Sequence, residues 1–430
     1  MCEQQAMTKW QCRRRLKAED WVMELDALDV LMNKEQIMVY FQPILSADKL
    51  EISAYEVLGR FQNDNGNAET LESCFRDPGV PWEYKQEIDR AVHQAALETF
   101  AAGERTDMIF LNVDAATILG DGGDGLVEFL LGYEERGIAP TSICLELKAT
   151  DFQQDLSRLK HFMQYAQSAG LSIAIDNLGQ EAIHLEQIAY LKPNVLKVDV
   201  TFSENFAVPS IYRDVLHSLS TLSRKIGASL LFEKIESFNQ LNYAWRNGAR
   251  YYQGFYLDKP KETFIEKDQF QERMKKDIHH FIDVERKKIE AQIQLTSELN
   301  KRLNDRLKHA DVMEDIDGWT MKTAESLEEM SFRVYVCDRE GYQLSGNASR
   351  QSGEAWEYRT EERNRNWSWR PYFLENIVRM NFEQRGILSD MYTDFHSDEM
   401  IRTYSHPITE DLYVFVDIPY AFLYEKDYLL

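Results

Sequence analysis

The chain has few cysteines, no excess of basic residues and no long apolar run, and each absence excludes a class of protein. The five cysteines are scattered and no two form a CxxC pair, which argues against a disulfide framework or a structural zinc site. No apolar run approaches the roughly 18 residues that a membrane span requires. The basic residues near the N-terminus are not followed by the apolar stretch of a signal peptide. We therefore expect a cytoplasmic protein.

The balance of charge is strongly acidic. Lysine and arginine number 49 against 72 aspartates and glutamates, which gives a net charge of −23. A uniformly acidic protein binds nucleic acid and anionic membranes poorly, so we expect neither as a partner. An anionic ligand would need a local basic or metal-filled site.

The first half of the chain alternates between two kinds of segment. Residues 1–22 form a polar leader that we expect to be disordered and outside the fold. Short β-rich runs then alternate with segments of helical period, which is typical of a parallel α/β sheet. We predict a closed (β/α)₈ TIM-like barrel over residues 23–261, with strands near 37–45, 52–58, 108–113, 142–147, 171–176, 195–200, 229–235 and 250–255.

The second half of the chain has a different pattern. Apolar residues recur at steps of mostly three or four in a segment that we predict to be one long connecting helix, residues 262–312. Such a helix either docks on a domain or pairs with a second copy, which would make a homodimer. Residues 313–430 contain short runs typical of antiparallel strands, and we predict a small α+β domain there.

Polar residues end or interrupt the apolar runs of the predicted barrel. Taken singly, each could be paired with a neighbouring lysine or exposed to water. Chemistry in such barrels is built at the carboxyl ends of the strands, and carboxylates this crowded repel one another unless cations neutralise them. The pattern favours a site for Mg²⁺, Mn²⁺ or Ca²⁺ over its alternative, a network of structural ion pairs. The residues are Glu56, Asn112, Glu146, Asp176, Lys197, Asp199, Glu233 and Gln253.

A set of short motifs in this region resembles the EAL domain family, the phosphodiesterases of cyclic di-GMP. The motifs are FQPI (41–44), EVLGR (56–60), LNV (111–113), LEL (145–147), IDN (175–177), LKVD (196–199), FEKIES (232–237) and QGFYLDKP (253–260). With its long helix and aromatic C-terminal part, the whole chain is similar to the YkuI type of the family. That resemblance implies a PAS-like or Cache-like domain after the barrel.

The resemblance also implies a role for each residue of the site. Cyclic di-GMP would be the ligand, a divalent cation the cofactor, and a homodimer the assembly. The implied metal ligands are Glu56, Asn112, Glu146 and Asp176. The implied ligand-contacting residues are Gln42, Arg60 and Gln253, with Arg60 on a phosphate oxygen. The implied catalytic residues are Lys197 and Asp199, which match the pair that positions the attacking water, and Glu233, which matches another carboxylate of the metal and water network.

The sequence departs from the family's pattern beside this set. Active members usually carry two aspartates where this chain has Asp176 and Asn177, and a glutamate where it has Ala149. The loop that follows, Leu178–Glu181, also differs from the usual sequence. These changes put a second metal in doubt, and two-metal cleavage needs both cations. We therefore favour a cyclic di-GMP-binding signalling protein with weak or absent hydrolysis; the alternative is an active phosphodiesterase that produces pGpG.

The C-terminal region contains an aromatic cluster, NWSWRPYF (366–373). It is either an aromatic core, which we favour, or the lining of a pocket for a small ligand. Arg370 would be the residue to contact such a ligand.

Overall fold

The computed structural model describes residues 25–425 apart from 64, 78, 149–154, 179–184, 202–209, 309–311, 352–353, 371–372 and 396, and without the side chains of 210–214 and 424–425. The leader predicted for residues 1–22 lies outside the described residues. The chain divides into two compact units, one up to Ile278 and one from His279 onward. Within the described ranges, no helix is long and apolar enough to cross a membrane.

The first unit contains a closed eight-stranded barrel. Its strands are β1 (Ile37–Ser46), β2 (Ile52–Gln62), β4 (Met108–Asn112), β5 (Ile143–Lys148), β6 (Ser172–Leu178), β7 (Val195–Asp199), β8 (Ser229–Glu233) and β9 (Tyr251–Tyr252). A short strand, β3 (Ala68–Thr70), lies outside the barrel and pairs with β2. The order is β1-β9-β8-β7-β6-β5-β4-β2, and the pairing of β1 with β2 closes the ring. The predicted barrel is thus confirmed.

One strand departs from the expected parallel arrangement. β1 runs antiparallel to both of its neighbours, whereas β2 and β4–β9 pair in parallel. Only residues 47–51 connect β1 to β2. A connection this short allows a hairpin but not a crossover, because parallel neighbours need a dozen or more connecting residues.

Helices connect and cover the strands of the barrel. β5–β8 are almost fully buried along their length, as expected for parallel strands covered on both faces. Small and medium apolar side chains such as Ala54, Cys144 and Ala174 pack in one internal cluster. The helices are α1 (Ala27–Met32), α2 (Glu72–Arg76), α3 (Trp82–Ala102), α4 (Ala115–Asp121), α5 (Asp124–Leu131), α6 (Leu156–Ser168), α7 (Leu185–Leu191), α8 (Ser210–Ile226) and α9 (Phe238–Arg246).

Residues 261–270, here called the closing segment, run past the amino ends of β2 and β4. The backbone N–H of Ile52 donates to the carbonyl of Lys267 at 2.8 Å. Lys267 Nζ lies 2.9 Å from Oδ1 of Asp107, just before β4. The ring of Phe264 packs 4.4 Å from that of Phe41 and 5.1 Å from that of Tyr55, centroid to centroid. The segment therefore belongs to the barrel's packing, and the opposite end carries the polar residues.

The long helix, α10, is observed over Gln271–Leu307, and the division between the two units falls within it. In the second unit, Leu295, Leu299 and Leu303 are buried against α11 (Ile316–Ser326) and a sheet. The sheet is antiparallel and contains β10 (Arg333–Asp338), β11 (Asn347–Ser349), β12 (Glu357–Arg359), β13 (Ile387–Leu388), β14 (Tyr392–Thr393), β15 (Met400–Pro407) and β16 (Leu412–Pro419). α12 (Phe373–Glu383) and α13 (Tyr420–Glu425) complete the predicted α+β domain.

Candidate functional site

The polar strand-end residues converge at the carboxyl end of the barrel around a single lysine. Lys197, on β7, is fully buried, with 0% of its surface exposed. Its Nζ lies 3.0 Å from Glu56 Oε2, 2.8 Å from Glu146 Oε1, and 3.5 Å from both Asp176 Oδ1 and Glu233 Oε2. Residues from β2, β5, β6, β7 and β8 therefore meet at one point, because parallel strands of a barrel end at the same rim.

The charges of this cluster do not balance. Four carboxylates face one ammonium group, and burial makes each unpaired charge costly. Burial alone would lower the pKa of Lys197, but the carboxylates outweigh it and hold that pKa well above its usual range. Burial and the neighbouring charge of Glu56 raise the pKa of Glu146 well above its usual range. Burial likewise raises the pKa of Glu233 to about 8, although Lys197 opposes the shift.

Amide side chains lie beside Glu56. Gln253 Nε2 donates to Glu56 Oε2 at 2.6 Å and to Gln42 Oε1 at 3.1 Å. Asn112 Nδ2 lies 3.4 Å from Glu56 Oε1, and the Asn112 carbonyl is 2.8 Å from Nε2 of the buried His93. Although burial disfavours its charged form, these donors and Lys197 lower the pKa of Glu56. Lys197 and the amides therefore favour the ionised form of Glu56, and the amides also hold its orientation.

Asp199 lies on the same strand as Lys197 but has different partners. Its Oδ1 accepts from the backbone N–H of Thr201 at 2.8 Å, and its Oδ2 accepts from Lys234 Nζ at 2.7 Å. Asp199 is fully buried, whereas 45% of the Lys234 side chain is exposed. Lys197 makes its ion pairs with the four carboxylates above. Sequence reasoning missed Lys234, which follows Glu233 directly and gave no signal of its own.

Above the carboxylates lies an open cleft of about 740 Å³. This volume is in the range of pockets that bind small molecules. Arg60 is partly buried in its wall, with Nη1 2.9 Å from the carbonyl of Gly59 and the guanidinium carbon 5.6 Å from the Tyr40 ring centroid. Lys148 and Lys234 also line the cleft. These three cationic side chains share the cavity with carboxylates such as Glu72, Asp89 and Glu236. An anionic ligand would therefore depend on the cationic groups and on a bound metal ion.

The donor set suits a hard divalent cation. Glu146 Oε2 and Glu233 Oε1 are buried oxygens that have no hydrogen-bond partner among the described residues. Carboxylate and amide oxygens are the ligands that Mg²⁺ and Ca²⁺ prefer, and a cation would offset the excess negative charge. In the part of the chain that the structure describes, no three side chains of suitable type are arranged to hold a metal as they stand. Instead, the ammonium group of Lys197 lies among the four carboxylates.

The departures from the family pattern are only partly visible. Asn177 has a left-handed backbone (φ 61°), and its Nδ2 lies 3.2 Å from Asp176 Oδ2. It thus places a neutral amide beside the carboxylate cluster. Ala149 and residues 179–181 of the altered loop lie outside the described residues.

Comparison with known proteins agrees with this geometry. Residues 25–260 match the EAL domain family, and residues 264–430 match the EAL-domain associated signalling protein domain. The chain belongs to the EAL domain family. The EAL match includes every strand-end residue discussed above.

Two similar proteins differ in how much of the chain they share. An uncharacterized EAL-domain containing protein of Bacillus subtilis, YkuI, is 42% identical over 94% of this chain and 100% of its own. The crystal structure of YkuI with substrate c-di-GMP and calcium matches with a TM-score of 0.87 and 43% identity, over 94% of this chain and all of that one. A probable cyclic di-GMP phosphodiesterase of Escherichia coli, PdeB, is 23% identical over 55% of this chain and 45% of its own.

The domain that follows the EAL barrel has little space beside Arg370. The guanidinium carbon of Arg370 lies 4.7 Å from the Trp367 ring centroid, next to a cavity of about 20 Å³. That volume holds about one water molecule. Phe373 packs in a core cluster with Tyr335 and Phe415. Phe373 and Trp367 therefore belong to an aromatic core, whereas Trp369 is 71% exposed. The PAS-like or Cache-like assignment remains a prediction.

Proposed function

We propose that the barrel binds cyclic di-GMP together with a divalent cation, and hydrolyses it weakly or not at all. The chain would then act as a signalling protein that responds to this nucleotide. The observation that carries the proposal is the cleft, in which the side chains of Arg60, Lys148 and Lys234 lie above the buried carboxylate cluster and beside further carboxylates. The YkuI structure with c-di-GMP and calcium supports it, because that protein is 43% identical over 94% of this chain.

The cation would be Mg²⁺, Mn²⁺ or Ca²⁺, held by oxygens of Glu56, Asn112, Glu146 and Asp176. When bound, it would neutralise the phosphate and polarise a phosphate oxygen. Gln253 holds Glu56 through its 2.6 Å hydrogen bond and would thereby keep this carboxylate in place. The amide of Asn112 would first have to release its contact with Glu56 and turn its oxygen toward the cation.

The nucleotide would lie in the cleft with a phosphate near Arg60. A guanidinium group binds phosphate oxygens with two parallel hydrogen bonds. Arg60 is partly buried and stacked near Tyr40, so less conformational freedom is lost when it binds. Gln42, which accepts from Gln253, would contact the ligand through its own amide.

Two features of the site support weak or absent hydrolysis. Asn177 offers a neutral amide where a second carboxylate would strengthen a second cation site. Both oxygens of Asp199 already accept hydrogen bonds. The alternative, an active phosphodiesterase, is supported by Lys197 and Glu233, which lie together at the carboxylate cluster and would position and deprotonate a water.

The test is one titration of purified protein with cyclic di-GMP in the presence of Mg²⁺, Mn²⁺ or Ca²⁺. Calorimetry would follow binding, and chromatography would follow pGpG. Binding without product supports the proposal. Steady turnover would instead establish the phosphodiesterase, and the absence of binding would contradict both functions.

A pair of arginine variants makes the binding result specific. Arg60→Ala should weaken binding by about tenfold to a hundredfold, since a charged hydrogen bond contributes about 1.5–3 kcal/mol. Arg250→Ala is the matched control, because Arg250 also lies over a tyrosine ring, at 5.8 Å, but does not line the cleft. Equal affinities of the two variants would contradict the role of Arg60. Asn177→Asp with Ala149→Glu should raise turnover if the missing carboxylates limit hydrolysis.

A further inference from the structure

Lys234 has a backbone conformation that lysine rarely adopts. Its φ is 58°, in the left-handed region that favours glycine, and it directly follows β8 and Glu233. Non-glycine residues in this region are under strain, and such strain concentrates at functional sites. The conformation alone assigns no role, but it places the side chain on the cleft side of the barrel rim.

The ammonium group of Lys234 lies between the cleft and Asp199. Lys234 lines the cleft, whereas Asp199 is completely buried and does not. The two are joined by a 2.7 Å ion pair. Asp199 and Glu233 are also paired residues on adjacent strands, so Lys234 extends over this part of the rim. A cation that enters from the cleft toward Asp199 therefore meets a positive charge first.

We propose that Lys234 is a built-in cation that takes the place of a second metal ion on the Asp199 side of the site. This rests on the proposed function, in which a divalent cation is held on the Glu56 side. A divalent ion close to an ammonium group is repelled by it. The oxygen of Asp199 that could bind a metal is already occupied by Lys234.

The neighbouring residue types agree with a site for one metal. Asn177, at the end of the adjacent strand β6, supplies an amide instead of a charged ligand. Two-metal centres hold their ions about 3.5–4 Å apart between carboxylates that serve both ions. On the Asp199 side of the cluster, Lys234 and Asn177 lie beside the carboxylates of Asp199 and Asp176. Lys234 thus acts on metal binding through Asp199 and by its own charge, as a positioning residue.

The experiment is a count of bound Mn²⁺ in the full chain without nucleotide. Equilibrium dialysis followed by elemental analysis gives the stoichiometry, and electron paramagnetic resonance detects coupled Mn²⁺ pairs. We expect one Mn²⁺ per chain in the wild type and in Lys234→Arg. We expect two, with a coupled signal, in Lys234→Gly, which removes the ammonium group and suits the left-handed backbone.

Lys192→Gly is the matched control. Lys192 is also a lysine with a left-handed backbone, at φ 52°, but it is exposed and does not line the cleft. The Lys192→Gly variant should still bind one Mn²⁺. This result would show that relief of backbone strain does not by itself create a second metal site. One Mn²⁺ in both the wild type and Lys234→Gly would overturn this inference alone. No Mn²⁺ in the wild type would overturn the proposed cation site as well.

Discussion

Replacing Lys197 with methionine should destabilise the metal-free barrel strongly. The change removes the ammonium that lies within 3.5 Å of four buried carboxylates and keeps a side chain of similar length. Breaking a buried ion pair by removal of one partner costs about 3–5 kcal/mol. For a unit of this size, each kcal/mol lowers the melting temperature by about 2–4 °C. We therefore expect the barrel to melt about 6–20 °C lower at pH 8.

The measurement is thermal unfolding by calorimetry, with and without a divalent cation. Lys34→Met is the control, since its ion pair with Glu87 has a similar length of 2.9 Å but is exposed on both sides. An exposed pair contributes about 0–1 kcal/mol. Mn²⁺ should restore part of the stability of Lys197→Met, because it offers the carboxylates a new counter-charge. If both variants melt within 2 °C of the wild type, the ammonium does not hold the cluster together and the reasoning fails.

Three further predictions concern other parts of the chain. Gly254→Ala should destabilise the barrel by about 2 kcal/mol or more and weaken nucleotide binding, because a Cβ at φ 148° would lie 2.1–2.7 Å from the backbone of Ile235. Gly66→Ala is the control: it has open space around it and should cost only about 1 kcal/mol in urea unfolding. His406 is buried and its pKa is lowered to about 4 by burial, so stability of the second unit should fall by up to about 3 kcal/mol as pH drops from 6.5 toward 4. His406→Phe should lose this pH dependence, and an unchanged acid profile would contradict the assignment. Ile293, 63% exposed on α10, should be covered in a homodimer, so Ile293→Lys should shift the mass in light scattering toward the monomer; no shift would place the interface elsewhere.

The barrel strands could be predicted because their sequences are nearly continuous apolar runs. β7, for example, is buried at every position, so only its polar residues stand out from the run. We expected these polar residues to converge because the carboxyl ends of barrel strands meet at one rim, and the cluster around Lys197 agrees with this rule. The direction of β1 does not follow from its composition. The signal for it was the short connection to β2, residues 47–51, which is too short for a crossover between parallel strands.

Which residues of the site form ion pairs with one another was harder to predict than which residues belong to the site. Lys197 and Asp199 are two positions apart on one strand, and the family resemblance treats them as a pair. In the structure, Lys197 makes ion pairs with four carboxylates and Asp199 with Lys234. The choice depends on the backbone of Lys234, whose left-handed φ places its ammonium on Asp199. A sequence does not state which non-glycine residue takes that conformation, because tertiary packing imposes it.

The closing segment has a practical consequence for any study of the barrel by itself. A fragment designed from the family match would end at residue 260. A fragment that stops there would lose Phe264 from its contacts with Phe41 and Tyr55, and Lys267 from its contacts with Ile52 and Asp107. Its exposed aromatic surface would favour aggregation. An excised barrel should extend at least through Phe270, which is itself buried, so that the fragment keeps the apolar contacts of the closing segment.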